Sequence, residues 1–207
     1  MLSGYVSQVF LFLVLGLLPI TTQAKKITIG YRTAAQEEAL EINRRNRPFR
    51  DPAYDWDWLP SQIGHGVYLG QIPAGWLGGV TVNWYCVIKA DEHLFRAAPK
   101  IWIPSKLGST TSKPFEIWGE KEPEIAQYVR ESGLMPDKTL RFSYIRVHGD
   151  ALQMVIPTKL ANADTLGLFG KCFKNKQELL AYENEVLNWR NWEIEGNPGE
   201  PDVKGVW

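Results

Sequence analysis

The chain has few of the residues that most often mark a metal or nucleophilic centre. Among 207 residues there are two cysteines and three histidines. So few, scattered so widely, give no support to a metal site, and they exclude a disulfide-dense scaffold. A surplus of either charge is also missing, because 23 Lys and Arg balance 23 Asp and Glu. Nucleic acid demands a basic excess to neutralise phosphate, so no nucleic-acid partner is expected. No long charge block suggests a membrane-surface arm. There is no internal repeat and no low-complexity tract, which sets repeat arrays aside.

The one long apolar run, "VFLFLVLGLLPI", is too short to span a bilayer, which takes about 20 residues. It stands at the N-terminus and is followed by "TTQA" and an abrupt "KK", as in a secretory signal peptide cleaved after Ala24. Residues 1–24 are therefore expected to be removed. Residues 25–207 then form one domain of a secreted protein with no stable membrane anchor. In an oxidising compartment a lone pair of cysteines usually joins, so Cys86 and Cys172 are expected to form one disulfide closing a long loop.

What is present alternates in type along the chain. "KITIGYRTA" has the period-two pattern and β-branched residues of a strand over Ile27–Arg32. "AQEEALEINRRN" places Ala35, Ala39, Leu40 and Ile42 at helical spacing and stops near Asn46. The Pro- and Asp-rich "RPFRDPAYDWDWLPSQIGHG" is loop. "GVYLG", "TVNWYCVIKA" and "KIWIP" predict strands, and "SKLGSTTSKPFEIWGEK" predicts an exposed loop. "EPEIAQYVRESG" predicts a helix with Pro123 near its start and Gly133 just past its end. "TLRFSYIRV" and "LQMVIPT" suit a hairpin turned at "HGDA", and "KNKQELLAYENEVLNW" predicts a late helix. Strands in a row interrupted by isolated helices indicate α+β rather than alternating βαβ.

Three features carry possible chemistry. Arg32, at the end of the first strand, offers a planar fork of donors that matches phosphate bidentately, or is an ordinary surface arginine. In "IGHGVYLG", Gly64 and Gly66 allow close backbone approach to a ligand, and Tyr68 offers a flat ring or a core filler. His65 has no sequence neighbour of the kind that would make it a base. The third feature is "GEKEPEIAQYVRESG". Glu122 and Glu124 can face one cleft if the chain is extended or turned there, whereas on a helix they diverge by about 200°. Two carboxylates in one site can divide acid–base work. Alternatively both serve a helix N-terminus, where the macrodipole favours acids.

In order along the chain, "GYRTA", "NWYCVIKADEHLFRAAPKIW", Glu-x-Glu before "ESGLMP", and "SYIRVH" resemble the ADP-ribosyltransferase toxin family, in particular the enzymatic A chains of heat-labile enterotoxin and cholera toxin and their secreted fungal members. The likeness runs from about Ile29 to His148. It implies an ADP-ribosyltransferase-like mixed β core of two packed small sheets with flanking helices. It implies NAD as substrate, held by Arg32, Tyr31, Gly66 and Tyr68. Glu124 would stabilise the oxocarbenium-like transition state, as a carboxylate does in glycoside hydrolysis, and Glu122 would engage the acceptor. Phe115 and Trp118 fall in positions similar to that family's target-recognition loop. The implied activity is transfer of ADP-ribose to a host protein side chain, arginine among the candidates, by a monomeric toxin or effector that can be translocated into host cells. The alternatives are an inactive effector of the same fold that binds a host protein, or an NAD glycohydrolase.

One departure stands out. The family's Ser-Thr-Ser strand is replaced by "GVYLGQIPAG", which holds no Ser or Thr, while its Gly-x-Gly-aromatic-Tyr-like segment resembles the other transferase branch. Nine tryptophans also raise a lectin-like reading, but they are scattered without repeat, and core packing accounts for most of them.

Overall fold

A computed structural model describes residues 25–56, 61–79, 82–108 and 115–201. The expected signal peptide, residues 1–24, and Trp58 lie outside the described residues. Strands β1 (Lys26–Ala35), β2 (Gly66–Gly70), β3 (Asn83–Asp91), β4 (Lys100–Trp102), β7 (Leu140–Tyr144), β8 (Leu152–Pro157) and β9 (Phe169–Phe173) form one sheet in the order β4-β7-β8-β2-β1-β3-β9. Short strands β5 (Lys106–Leu107) and β6 (Phe115–Glu116) pair separately. Five helices accompany them: α1 (Gln36–Arg45), α2 (Glu92–Ala97), α3 (Glu122–Glu131), α4 (Thr158–Ala163) and α5 (Lys176–Tyr182). The class is α+β, as the order of elements in the sequence implies.

The sheet differs from the expectation of two small packed sheets. It is one seven-stranded sheet with a two-stranded ribbon beside it. The reason is the length of β1, which pairs with β2 on one side and β3 on the other, with Tyr31 opposite Gly70 and Arg32 opposite Cys86. Gly30 is required there, because a Cβ would press on the Leu69 side chain at 2.7 Å. Every pairing is antiparallel except β4 with β7. The core runs through the sheet, with Ile29, Ile88, Ile101, Phe142 and Ile156 essentially inaccessible. The aromatic segment near the C-terminus closes one end of it. Trp189 is fully buried with its ring 5.6 Å from Phe142, and Trp192 stands edge-on to Phe95 at 5.0 Å. Trp84, Trp102 and Trp118 are buried too, whereas Trp56 and Trp76 are exposed.

Both outer strands make outward backbone bonds to other parts of the chain. On β9, the Cys172 N–H donates to the Asn43 side-chain oxygen (2.8 Å), the Asn43 amide returns a bond to the Cys172 carbonyl (3.0 Å), and the Gly170 N–H donates to the Asn46 carbonyl. On β4, Glu195 bridges the strand by accepting from the Trp102 N–H and donating to the Lys100 carbonyl, both at 2.9 Å.

Cys86 and Cys172 stand opposite each other on β3 and β9 and form the expected disulfide. It closes a separation of 86 residues. The late helix is shorter than its sequence pattern predicts and ends at Tyr182. Glu183 turns to extended geometry because its carboxylate accepts from Lys89 and Thr28 on the sheet, each at 2.8 Å. Tertiary contacts override helix propensity here. No helix among the described residues is long and apolar enough to cross a membrane.

Candidate functional site

β1, β2 and β8 lie side by side in the middle of the sheet, and a cleft of about 750 Å³ opens over their ends. Arg32 and Tyr31 come from β1, Gly66 and Tyr68 from β2, and Gln153 from β8. Loops add Arg50, Gln62, His65, Trp76, Arg146 and His148, and a short 3-10 turn over Pro52–Tyr54 adds Tyr54. Trp76 and His148 approach each other at a ring separation of 5.4 Å, and beyond them a second lobe of about 410 Å³ continues along Ile72 and Leu77. The described lining of the main cleft thus carries three arginines, two histidines and several rings, but no Asp or Glu.

Arg32 is held firmly. Its Nε and Nη2 donate to both oxygens of Glu38 (2.6 and 2.9 Å), and Nη1 donates to the Tyr68 carbonyl at 3.1 Å. Glu38 lies in the first turn of α1, so the short strand-to-helix connection delivers it to a residue six positions earlier. Tyr68 is fixed from the other end of its ring, where its hydroxyl donates to the Gly64 carbonyl (2.8 Å) and accepts from the Ile63 N–H (3.1 Å). Burial pushes the phenol pKa up to about 12, so the group is neutral at physiological pH and works as a fixed hydrogen-bonding wall. Tyr31 is buried and donates to the Glu185 carbonyl at 2.7 Å. Burial first, then the charges of Glu183 and Glu185, raises its pKa as well.

Two amides brace the floor of the cleft. Gln153 donates to Ser143 Oγ (3.0 Å), and Gln62 donates to the Tyr144 carbonyl (2.6 Å) while accepting from the Arg146 N–H (2.9 Å). Arg146 pairs with Glu116 at 2.6 Å, and Arg50 pairs with Asp55 at 2.9 Å. Neither carboxylate is among the lining residues of the cleft.

The Glu-x-Glu pair has another geometry than a turn with both acids in one cleft. α3 begins at Glu122, with Pro123 in its first turn, where a missing N–H does no harm. The two acids therefore diverge around the helix. Glu122 enters the protein and forms a two-oxygen pair with Arg141 (2.8 and 2.6 Å), and it also accepts from the His65 N–H at 2.7 Å. Arg141 is fully buried on β7. A Cβ at Gly64, whose φ is +92°, would collide with both members of this pair, so the glycine serves the ion pair rather than a ligand. Gly66 likewise serves the sheet, because a Cβ there would meet the Ile156 carbonyl. Glu124 is exposed and lines neither lobe.

Of the residues singled out in the sequence, the fold brings Arg32, Tyr31, Gly66 and Tyr68 to one cleft and sends Glu122 and Glu124 elsewhere. Phe115 is exposed on β6, whereas Trp118 is core, with its indole N–H donating to the Ile103 carbonyl at 2.9 Å. Sequence reasoning did not find Arg50, Gln62, Arg146, His148 or Gln153. The available signal for Gln153 was a polar residue inside the apolar run "LQMVIP", and for His148 its place in the turn of the β7–β8 hairpin.

Among the described residues no group of three His, Cys, Asp or Glu could hold a metal ion. Residues 61–197 match the family described as "Family of unknown function (DUF5910)", and the chain belongs to that family. No curated protein and no solved structure matches it.

Proposed function

We propose that this is a secreted protein that binds an anionic, ring-bearing ligand of the nucleotide class, NAD included, in the cleft over β1, β2 and β8, and that it holds the ligand without cleaving it. The observation that carries this reading is the cleft lining, which has arginines, histidines and aromatic faces but no carboxylate among its described residues. Guanidinium forks and imidazole suit phosphate oxygens. Tyr68 and Trp76 offer ring faces for a base. The volume of about 750 Å³ is in the range of ligand clefts.

Cleavage of a glycosidic bond to nicotinamide needs a negative group at the developing oxocarbenium ion. A side-chain amide such as Gln153, which lines the cleft, can bond a ribose hydroxyl, but a neutral amide does not offset a full positive charge. Among the described residues Glu122 is spent on Arg141, Glu38 at the cleft wall is spent on Arg32, and Glu124 lies outside the lining. This favours the inactive version of the ADP-ribosyltransferase-like effector. A disulfide and a short N-terminal apolar run support the secreted setting.

A second reading, docking to a host protein, draws on the exposed Ile72, Trp76 and Leu77 at the cleft mouth. The two readings are compatible. Calorimetric titration of the mature protein with NAD and ADP-ribose tests the first. Saturable binding that Arg32→Ala abolishes is the expected result, with no nicotinamide released above the buffer rate. Release that disappears in Glu124→Ala would restore the transferase or glycohydrolase reading, and absence of binding to either compound would refute nucleotide recognition.

A further inference from the structure

The fork of Arg32 already holds an anion of the protein's own. Glu38 meets it with both oxygens, at 2.6 and 2.9 Å, leaving Nη1 on the Tyr68 carbonyl at 3.1 Å. The arginine side chain is 19% exposed and the glutamate 33%, so the pair lies at the cleft wall with the carboxylate within reach of water. Glu38 has no competing task in capping its helix. The N-cap position is Ala35, which makes no side-chain cap bond, and Glu38 turns to Arg32 instead. The guanidinium also lies where the two lobes of the cleft meet, since Arg32 lines both.

We infer that Glu38 is an internal competitor for the anion site at Arg32, and that it makes the cleft select ligands ending in a terminal phosphate over those whose phosphates are all internal. The inference rests on the nucleotide-binding reading above. Its logic is one of exchange. A ligand anion that takes the fork must release Glu38 to solvent, so the apparent affinity is reduced by the fraction of molecules in which the fork is free. An internal phosphate presents one negative charge over two oxygens, as the carboxylate does, and gains nothing by the exchange. A terminal phosphate carries a charge of about −1.5 to −2 at neutral pH and three acceptor oxygens. It can occupy Nε and Nη2 together and still offer an oxygen to a further donor, so the exchange favours it. The carboxylate thereby acts as a threshold that weakly competing anions do not cross.

The test compares ADP, which ends in a terminal phosphate, with NAD, whose two phosphates are both internal to its diphosphate bridge, by calorimetry at pH 7.5. The proteins are the mature chain, Glu38→Gln, Glu38→Asp and Arg32→Ala, each checked for folding by circular dichroism. The native protein should bind ADP about tenfold or more tighter than NAD, the scale set by one charge-assisted hydrogen-bond pair. Glu38→Gln should tighten NAD by about tenfold and narrow that gap. Glu38→Asp, whose arm is too short to engage the fork with the same two bonds, should fall between, and it carries the test if Glu38→Gln does not fold. Arg32→Ala should lose both ligands. If both nucleotides bind and require Arg32, but the Glu38 variants bind each as the native protein does or more weakly, Glu38 merely positions the arginine and the inference fails alone. If neither nucleotide binds native protein or Glu38→Gln, the cleft reading fails and takes the inference with it.

Discussion

Removing the Glu122 carboxylate should damage the fold far more than removing its neighbour. Glu122 neutralises Arg141, whose side chain has no solvent access, and the carboxylate's own side chain is 25% exposed. In Glu122→Ala the guanidinium keeps only the Ile63 carbonyl at 3.2 Å and the Pro136 carbonyl at a marginal 3.5 Å, and the His65 N–H loses its acceptor. Breaking one partner of a buried ion pair typically costs about 3–5 kcal/mol, because the remaining charge is left uncompensated. Partial exposure of Glu122 lets water relieve some of this, so about 3 kcal/mol is the working figure. Against a total stability of about 5–15 kcal/mol, that is a large fraction. Urea unfolding followed by tryptophan fluorescence reads it directly. The control is Glu124→Ala, which removes an exposed acid at the same helix start and should cost about 0.3–1 kcal/mol through the dipole. Glu122→Gln should fall between the two, since the amide oxygen can still accept from His65 or Arg141. If Glu122→Ala unfolds within about 1 kcal/mol of the native protein, the ion pair is not what holds the Gly64 loop to β7, and a catalytic task for Glu122 returns to consideration.

Two further outcomes are expected. Replacing both cysteines by alanine should lower stability by about 4–5 kcal/mol on chain entropy for a closure of 86 residues, and a reductant should reproduce the shift in urea midpoint for the native chain but not for the variant. For Glu183, burial raises the pKa, but the bonds from Lys89 and Thr28 outweigh it and hold the pKa below the ordinary carboxylate value. A depressed folded-state pKa adds stability that is complete above the unfolded value of about 4.3 and is lost as pH falls through the folded one. The difference in urea midpoint between native protein and Glu183→Gln should therefore hold steady from pH 8 to 6 and shrink below about pH 4; a difference that grows in acid would contradict the assignment.

How much of this was legible in the sequence follows the physics of each segment. The strands around Tyr31, Tyr68 and Val87 announce themselves through β-branched and aromatic residues between turn formers, and α1 announces itself through Ala39 and Ile42 at helical spacing. Arg141 was not legible as a buried charge. Every residue of β7 is buried, so the alternation in "LRFSY" does not mark an outward face, and its partner Glu122 is 19 residues earlier in the chain. The Glu-x-Glu spacing misled for a related reason. Pro123 is compatible with a turn and with a first helical turn alike, and only the arginine waiting on β7 selects the helix. In the cleft, Arg32 and Tyr68 carry local signals, a strand end and neighbouring glycines, whereas Arg50, Arg146 and His148 come from loops whose convergence no local pattern encodes.

The occupied margins of the sheet have a consequence for association. Recognition by strand addition requires a row of free N–H and C=O groups along an outer strand. Asn43 and Asn46 meet such groups on β9, and Glu195 meets such groups on β4, so an extended peptide or a second copy would have to displace them before it could extend the ladder. Strand addition at these positions therefore carries the cost of breaking bonds the fold already makes, whereas the open mouth above β1, β2 and β8 carries no such cost.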